Sequence, residues 1–182
     1  DSEVRGSITV GDGPGNQGTI YLADIQTNVY ALDAMSGELL WRVRTARHLL
    51  HIITGTSALH DGRLYVPISS IEVAVAGKPN HPCCTSSGEL VALDVTSGKE
   101  IWRHRVLKDE AVEVARDRMG HPTLAPSGAP VWSSPTVDVA RGLVYIGTGE
   151  NYSRPASETS DSLIAIDMQT GETVWKFQAT RE

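Results

Sequence analysis

Two cysteines stand next to each other, Cys83-Cys84, and they are the only cysteines among the 182 residues. Adjacent cysteines can bond to each other as a small ring, bond to other chains, or stay free thiols. Their Cα atoms lie at most about 3.8 Å apart, below the usual disulfide range of roughly 4.4–6.8 Å. Such a ring would be stiff, flat-sided, apolar and more reducible than a relaxed bridge. Zinc is not indicated, because no Cys-x-x-Cys pair occurs and His81 alone could not complete a site.

Trp132 and the pair Glu150-Asn151 are the other candidates for chemistry. Trp132 stands at the start of a predicted strand, where it either packs the axis of the fold or forms a floor for a flat ligand. Together with a stiff Cys-Cys ring, it could hold a planar molecule from opposite faces. Glu150 and Asn151 directly follow another predicted strand, and their oxygens are the kind of ligand that calcium takes. The alternative for this pair is plain loop.

A phrase of eleven residues, repeated at 31–41, 92–102 and 165–175, organises the chain around these candidates. Each copy contains Ala, Leu or Ile, Asp, then Ser or Thr followed by Gly, and ends in Trp. Asp can bond its own downstream backbone and Gly supplies the positive φ of a corner, so the phrase predicts a hairpin. The closing Trp suits packing between neighbouring sheets. The chain is therefore a repeat protein.

Further strands are predicted upstream of the phrases, and four short strands per unit describe a propeller blade. Long segments interrupt the units at 68–88, 147–162 and 107–128, and loops on a rigid scaffold are where function usually lies. The additional strands are predicted at 19–22, 63–66, 143–146, 56–59 and 134–137.

The predicted fold is all-β: a partial β-propeller over residues 1–182, with four-stranded antiparallel blades that end near Trp41, Trp102 and Trp175. Closed propellers usually have four to eight blades, so about three blades are expected to be a piece of a longer protein. An open arc of this kind would leave strand edges unpaired and one Trp-bearing face uncovered.

The charge pattern argues against a nucleic-acid partner, and the lengths of the apolar stretches argue against a membrane span. The formal net charge is −6, with acidic and basic residues mixed and no basic stripe, which argues against nucleic acid. No apolar stretch approaches about eighteen residues, so no membrane span is predicted. The most charged segment, 108–118, is interpreted as a short helix or a solvated connection.

The Trp-ending phrase resembles the tryptophan-docking motif of the pyrroloquinoline quinone (PQQ) dehydrogenases, which are eight-bladed propellers. In that superfamily a vicinal disulfide packs on one face of PQQ and a Trp on the other. Cys83 and Cys84 match the disulfide, and Trp132 matches the stacking Trp by standing six residues before Asp138. Glu150 aligns with a calcium-ligand Asn, and Asn151 follows it. The segments 62–70, 83–85, 128–135 and 147–153 resemble the polyvinyl alcohol dehydrogenases in particular.

The resemblance implies part of a PQQ- and calcium-dependent dehydrogenase that oxidises alcohols, secondary or polymeric, by hydride transfer to the quinone. It also implies a cytochrome c-type electron acceptor, a periplasmic location, and haem c, if present, outside this chain. The catalytic Asp is expected beyond Glu182, so the catalytic residue is unknown and the chain alone is expected to be inactive. The alternative is a non-catalytic propeller with the same repeats, a protein-binding scaffold in envelope assembly, which would need neither Cys-Cys nor an axial Trp.

Overall fold

The computed structural model describes residues 2–15, 17–78 and 81–181, and this part of the chain is built almost entirely of β-strands. Three antiparallel sheets follow one another along the chain, and a separate two-stranded hairpin lies between the second and the third. One short 3-10 helix, Glu72–Ala74, occurs among the described residues. The described part contains no helix with the length and apolar character needed to cross a bilayer.

The strands are numbered in chain order. The first sheet contains β1 (Thr9–Gly11), β2 (Thr19–Ala23), β3 (Asn28–Asp33) and β4 (Leu39–Arg44). The second contains β5 (His51–Ile52), β6 (Ala58–His60), β7 (Arg63–Ser70), β8 (Glu89–Asp94) and β9 (Glu100–Arg105). The hairpin consists of β10 (Val112–Arg116) and β11 (Pro122–Ala125). The third sheet contains β12 (Thr136–Asp138), β13 (Leu143–Gly147), β14 (Ser162–Asp167) and β15 (Thr173–Gln178).

Neighbouring strands within each sheet are consecutive in the chain, as in a propeller blade. The second sheet differs slightly, because its innermost strand is divided in two. β5 pairs with β7 near Ser69, whereas β6 pairs with the other end of β7 near Leu64. The predicted four-stranded antiparallel units and the all-β fold class are confirmed.

Each repeated phrase folds in the same way, as its residue types predict. In the second copy, Asp94 Oδ1 accepts the Ser97 backbone N–H at 2.8 Å, and the Gly98 N–H donates to the Asp94 carbonyl at 2.8 Å. Gly98 has a φ of 69°, the left-handed conformation that favours glycine. The same Asp-centred bonds recur in the first and third copies. The predicted hairpin turn is confirmed in all three phrases.

A Tyr-Ala-Trp row crosses each sheet. In the second sheet Tyr65 lies opposite Ala92, and Ala92 lies opposite Trp102. The small Ala side chain leaves room for the two rings, whose centroids are 5.8 Å apart and tilted by 43°. Equivalent pairs in the first and third sheets have centroids 5.9 Å and 5.7 Å apart. The repeat in the sequence is therefore a repeat of this row.

The tryptophans also join each sheet to the next one. Trp41 Nε1 donates to the Val95 carbonyl of the second sheet at 2.8 Å, and Trp102 Nε1 donates to the Met168 carbonyl of the third at 3.1 Å. Apolar side chains fill both junctions. Trp102 is only 9% exposed, whereas Trp175 on the last sheet is 41% exposed. The prediction that one Trp-bearing face would be uncovered is confirmed.

The charged segment 108–118 forms no helix, so the first of its two interpretations is wrong; it contains β10, whose five residues are all exposed, in agreement with a solvated connection. The first strand of the third unit begins at Thr136 rather than at the predicted Ser134, and Trp132 lies before it. Pro130 and Pro135 flank Trp132, and proline has no N–H to donate to a β-ladder.

Candidate functional site

The segment 127–132, here called the central segment, joins the two long loops that carry the candidate residues. On one side the Gly128 N–H donates to the Ser86 carbonyl at 2.9 Å. On the other side the Ala129 N–H donates to the Glu150 carbonyl at 2.8 Å. Gly128 has a φ of 98°, and a Cβ on it would lie 2.6 Å from the Glu150 oxygen, so glycine is required there. The loop that carries Cys83 and Cys84 and the loop that carries Glu150 and Asn151 therefore both hydrogen-bond to the central segment, which itself contains Trp132.

Cys83 and Cys84 form a disulfide with each other. Cys84 is fully buried, and Cys83 is partly exposed. β11 supports the pair, because the Leu124 N–H donates to the Cys83 carbonyl at 2.6 Å. The Cys83 Sγ lies 3.8 Å from the Tyr152 carbonyl oxygen. Of the three alternatives, the structure contains the disulfide between the two adjacent cysteines. The β10–β11 hairpin supports it.

Glu72 holds the loop directly after the disulfide, and the sequence analysis did not find it. Its carboxylate is buried and accepts the N–H groups of Thr85 at 3.0 Å and Ser86 at 2.7 Å. Burial alone would raise the pKa of Glu72, but the hydrogen bonds from Ser86 and Thr85 outweigh it and lower the pKa. His81 Nε2 lies 3.3 Å from the same carboxylate. No residue spacing in the sequence indicates this contact, because Glu72 is oriented by a 3-10 turn that forms within the inserted loop.

Trp132 presents its ring to solvent at the end of the central segment. The residue is 58% exposed, while its carbonyl accepts a hydrogen bond from Thr54 Oγ1 at 3.3 Å. The indole lies beside Gly149: a Cβ on Gly149 would be 3.7 Å from Trp132 Cε2 and 3.0 Å from Pro130 Cγ. The Trp132 backbone is thus held by a hydrogen bond, while its flat indole stays exposed beside Gly149.

Glu150 and Asn151 follow Gly149 in the chain and differ in their surroundings. Glu150 is exposed. The Asn151 side chain organises its own loop, since Oδ1 accepts the Ser157 N–H at 2.8 Å and Nδ2 donates to Ser160 Oγ at 2.9 Å. An amide oxygen has two lone pairs, so Asn151 keeps one for a cation. Their role as metal ligands stays a prediction.

Tyr152 connects this loop to the second sheet, and the sequence analysis gave it no role. Its hydroxyl donates to the Ser70 carbonyl at 3.2 Å. Burial, aided by the negative charge of Glu150, raises the pKa of Tyr152 to about 12. The phenol therefore stays protonated and keeps its hydrogen bond over the physiological pH range.

A buried polar cluster lies close to the loop that follows the disulfide. His51 Nε2 is 3.1 Å from the Ser87 carbonyl, and Nδ1 is 4.0 Å from Glu89 Oε2. Glu89 also pairs with Arg103. Burial lowers the pKa of His51 to about 4, and burial raises the pKa of Glu89 despite the Arg103 charge. His51 is therefore neutral in the folded protein near pH 7.

We expect the buried neutral His51 to make the protein less stable as the pH falls from about 6.5 to about 4. In the unfolded chain this histidine takes up a proton near 6.5, whereas in the folded chain it does so near 4. The free energy of unfolding should fall by roughly 1.4 kcal/mol per pH unit from this group, about 3 kcal/mol in all. Urea unfolding between pH 4 and 7 measures this slope.

His51→Gln is the matched control, because glutamine can still donate to the Ser87 carbonyl but does not titrate. Glu89, whose pKa is raised, opposes the trend in both proteins. The difference between the two proteins therefore isolates His51. Equal slopes for the wild type and His51→Gln would contradict the assignment.

Comparison with known proteins gives a consistent result. Residues 64–182 match the family model for the PQQ-binding glucose/ethanol/alcohol dehydrogenase β-propeller domain. A polyvinylalcohol dehydrogenase of Pseudomonas sp. is 36% identical over 166 residues, covering 91% of this chain and 26% of that protein. A polyvinylalcohol dehydrogenase of Sphingopyxis sp. strain 113P3 is 37% identical over 159 residues, covering 87% and 24%. The chain thus spans about a quarter of the length of these relatives.

Solved structures support the fold. A europium-containing methanol dehydrogenase superposes with a TM-score of 0.69 at 19% identity, covering 96% of this chain and 32% of that one. The quinohemoprotein alcohol dehydrogenase ADHIIG from Pseudomonas putida HK5 superposes with a TM-score of 0.66 at 22% identity, covering 89% and 25%. Both matches cover most of the three sheets described above.

Proposed function

This chain belongs to the family of PQQ-binding glucose/ethanol/alcohol dehydrogenase β-propellers, and from that premise we propose that it supplies the cofactor-holding part of a PQQ-dependent alcohol dehydrogenase. One observation carries the proposal. The Cys83–Cys84 disulfide, the exposed Trp132 indole and the Glu150 carboxylate lie on loops that hydrogen-bond to a single central segment. A flat apolar ring and a flat aromatic surface, brought together in this way, suit a planar ligand.

The disulfide and the indole suit the two faces of a planar quinone. Cys83 and Cys84 would contact one face of PQQ, and Trp132 would stack on the other. When bound, PQQ supplies the redox chemistry, because its quinone takes up the hydride removed from an alcohol. The protein's contribution is placement: Glu72 fixes the loop after the disulfide, and the uncharged Tyr152 phenol holds the 150–152 loop on the second sheet.

We extend the proposal to a calcium ion held by Glu150 and Asn151. A carboxylate and a side-chain amide oxygen are hard ligands of the kind calcium prefers. The exposed Glu150 supplies the negative charge, and the Asn151 oxygen that already accepts from Ser157 keeps one lone pair. A metal at this place would act as a Lewis acid toward a ligand stacked on Trp132.

The substrate, electron acceptor and location follow from the relatives and remain part of the proposal. Two of the relatives are named polyvinylalcohol dehydrogenases, which favours a secondary or polymeric alcohol as substrate. Another is named a quinohemoprotein alcohol dehydrogenase, which favours a cytochrome c-type electron acceptor. A disulfide persists in oxidising compartments, which favours the periplasm.

The test uses the longest form of the protein that its gene encodes, incubated with PQQ, with calcium, or with both. We expect the melting temperature to rise with PQQ plus calcium more than with either alone, because a ligand that binds the folded state stabilises it. Secondary alcohols should then reduce an artificial dye acceptor. A Glu150→Gln variant should lose the calcium-dependent part of the shift but keep the PQQ-dependent part. An unchanged melting temperature would overturn the proposal and leave the scaffold hypothesis.

A further inference from the structure

Three potential metal-binding side chains, one of them from the disulfide itself, form a cluster in the inserted loop of the second sheet. A carboxylate oxygen of Glu72, a ring nitrogen of His81 and the Cys84 sulfur all lie within 4.8 Å of one another. Glu72 and Cys84 are buried, and the His81 side chain is 24% exposed. With the disulfide formed, the Cys84 sulfur is not a thiolate, and the thiolate is the form that binds metals. The oxidised protein therefore lacks one essential ligand at this place.

We propose that reduction of the Cys83–Cys84 disulfide converts this cluster into a zinc-binding site, with Cys84, His81 and Glu72 as the three protein ligands and water in the fourth position. Zinc takes four ligands of these types, with bonds of about 2.0–2.3 Å. Bonds of that length in a tetrahedron place the ligand atoms roughly 3.3–3.8 Å apart. The three existing atoms would have to close by only about 1 Å.

The cluster is held in place by contacts that do not depend on the disulfide bond. The Cys84 N–H points to the Leu124 carbonyl of β11 at 3.5 Å, and Leu124 donates back to Cys83. Glu72 is fixed by the Thr85 and Ser86 N–H groups. A carboxylate has about four lone-pair sites, so Oε1 keeps capacity for a metal while it accepts from Thr85. These bonds would keep the ligands nearby after reduction.

His81 supplies both a ligand and a route of access. Its Nε2 already faces Glu72 Oε1 at 3.3 Å, so the ring nitrogen points into the cluster. Glu72 and Cys84 are buried, so an ion would reach them past the partly exposed His81 side chain. The sequence does not indicate zinc, because His81 alone could not complete a site; in the structure Glu72, at the start of the 3-10 turn, supplies a further ligand beside it.

The chemistry balances when the reductant is a phosphine. The phosphine takes one oxygen from water and becomes a phosphine oxide, while the S–S bond breaks and each sulfur gains a proton. Zinc then displaces a proton from each thiol that it binds. A divalent cation also offsets the repulsion between the Cys84 thiolate and the Glu72 carboxylate, which are otherwise unfavourable together in a buried place. The inference needs no quinone, so it does not rest on the proposed function.

The experiment treats the full-length protein with a phosphine reductant and titrates it with Co²⁺ as a spectroscopic probe for zinc. We expect one Co²⁺ per chain, with a thiolate-to-cobalt charge-transfer band that Zn²⁺ abolishes, and no such band in the oxidised protein. His81→Gln and Glu72→Gln should each weaken Zn²⁺ binding at least tenfold, measured by competition with a colorimetric chelator.

His121→Gln is the matched control, because His121 also pairs with a carboxylate, that of Asp117, but is not a member of the cluster. It should leave Zn²⁺ affinity unchanged. Circular dichroism checks that each variant is folded, and His81→Gln, on a partly exposed side chain, serves if Glu72→Gln does not fold. Absence of the band after reduction, or equal Zn²⁺ affinity in wild type and His81→Gln, overturns the inference.

Discussion

Replacing Trp132 with alanine should weaken PQQ binding by about 5- to 150-fold, corresponding to roughly 1–3 kcal/mol for one lost aromatic stacking surface. The free energy of unfolding should change by only about 0.5 kcal/mol, because the side chain is 58% exposed and few protein contacts depend on it. Calorimetric titration of PQQ in the presence of calcium measures the affinity, and urea unfolding measures the stability.

Two further variants sharpen this prediction. Trp132→Phe keeps an aromatic surface and should retain most of the affinity. Trp175→Ala removes another partly exposed tryptophan, 41% exposed, that lies outside the candidate site; it should leave PQQ affinity unchanged in the folded protein. If Trp132→Ala and Trp175→Ala bind PQQ equally well, Trp132 does not contact the cofactor.

Replacing Gly98 with alanine should lower the free energy of unfolding by about 2–5 kcal/mol, whereas Gly37→Ala should lower it by only about 1–2 kcal/mol. Both glycines occupy the same position in the repeated phrase, with φ of 69° and 72°, so both variants carry the same backbone strain. A Cβ on Gly98 would also lie 2.8 Å from Trp41 Cε3, whereas a Cβ on Gly37 meets nothing within 4 Å. Urea unfolding of the two variants measures the difference.

A double-mutant cycle with Trp41→Ala tests the cause of the larger effect. When Trp41 is removed, the clash at Gly98 disappears, and Gly98→Ala should then cost no more than Gly37→Ala. If Gly98→Ala and Gly37→Ala lower the free energy of unfolding equally while Trp41 is present, Trp41 does not pack against Gly98. Gly171, which faces Trp102 in the same way, offers a second instance.

The sequence predicted the parts of the fold whose contacts recur with the repeated phrase. The Asp and Gly of each phrase interact within one turn, and its Trp bonds to the next copy of the phrase. Because the same spacing occurs three times, it predicts the hairpin and the packing role of the Trp. Cys83, Cys84 and Trp132 stood out because cysteine pairs and isolated tryptophans are rare. The sequence could therefore identify the cofactor-binding candidates without a structure.

The remaining features depend on contacts between distant segments that follow no repeat. Glu72 reaches Ser86 across the longest inserted loop, and no residue spacing encodes that approach. The hairpin that supports Cys83 is rich in charged residues and exposed throughout β10, so it carries no sustained alternation of apolar and polar residues that would predict a strand.

The central segment has a consequence for how this site can change over time. Its bonds to Ser86, Gly88 and Glu150 join backbone groups only. These three links therefore need no particular side chain, but they require glycine at 88 and 128, where a Cβ would lie 2.1 Å and 2.6 Å from a backbone oxygen. Neighbouring loop residues can therefore diversify while the disulfide and the indole keep their positions. The composition of the loops and the placement of these two groups can evolve as separable traits.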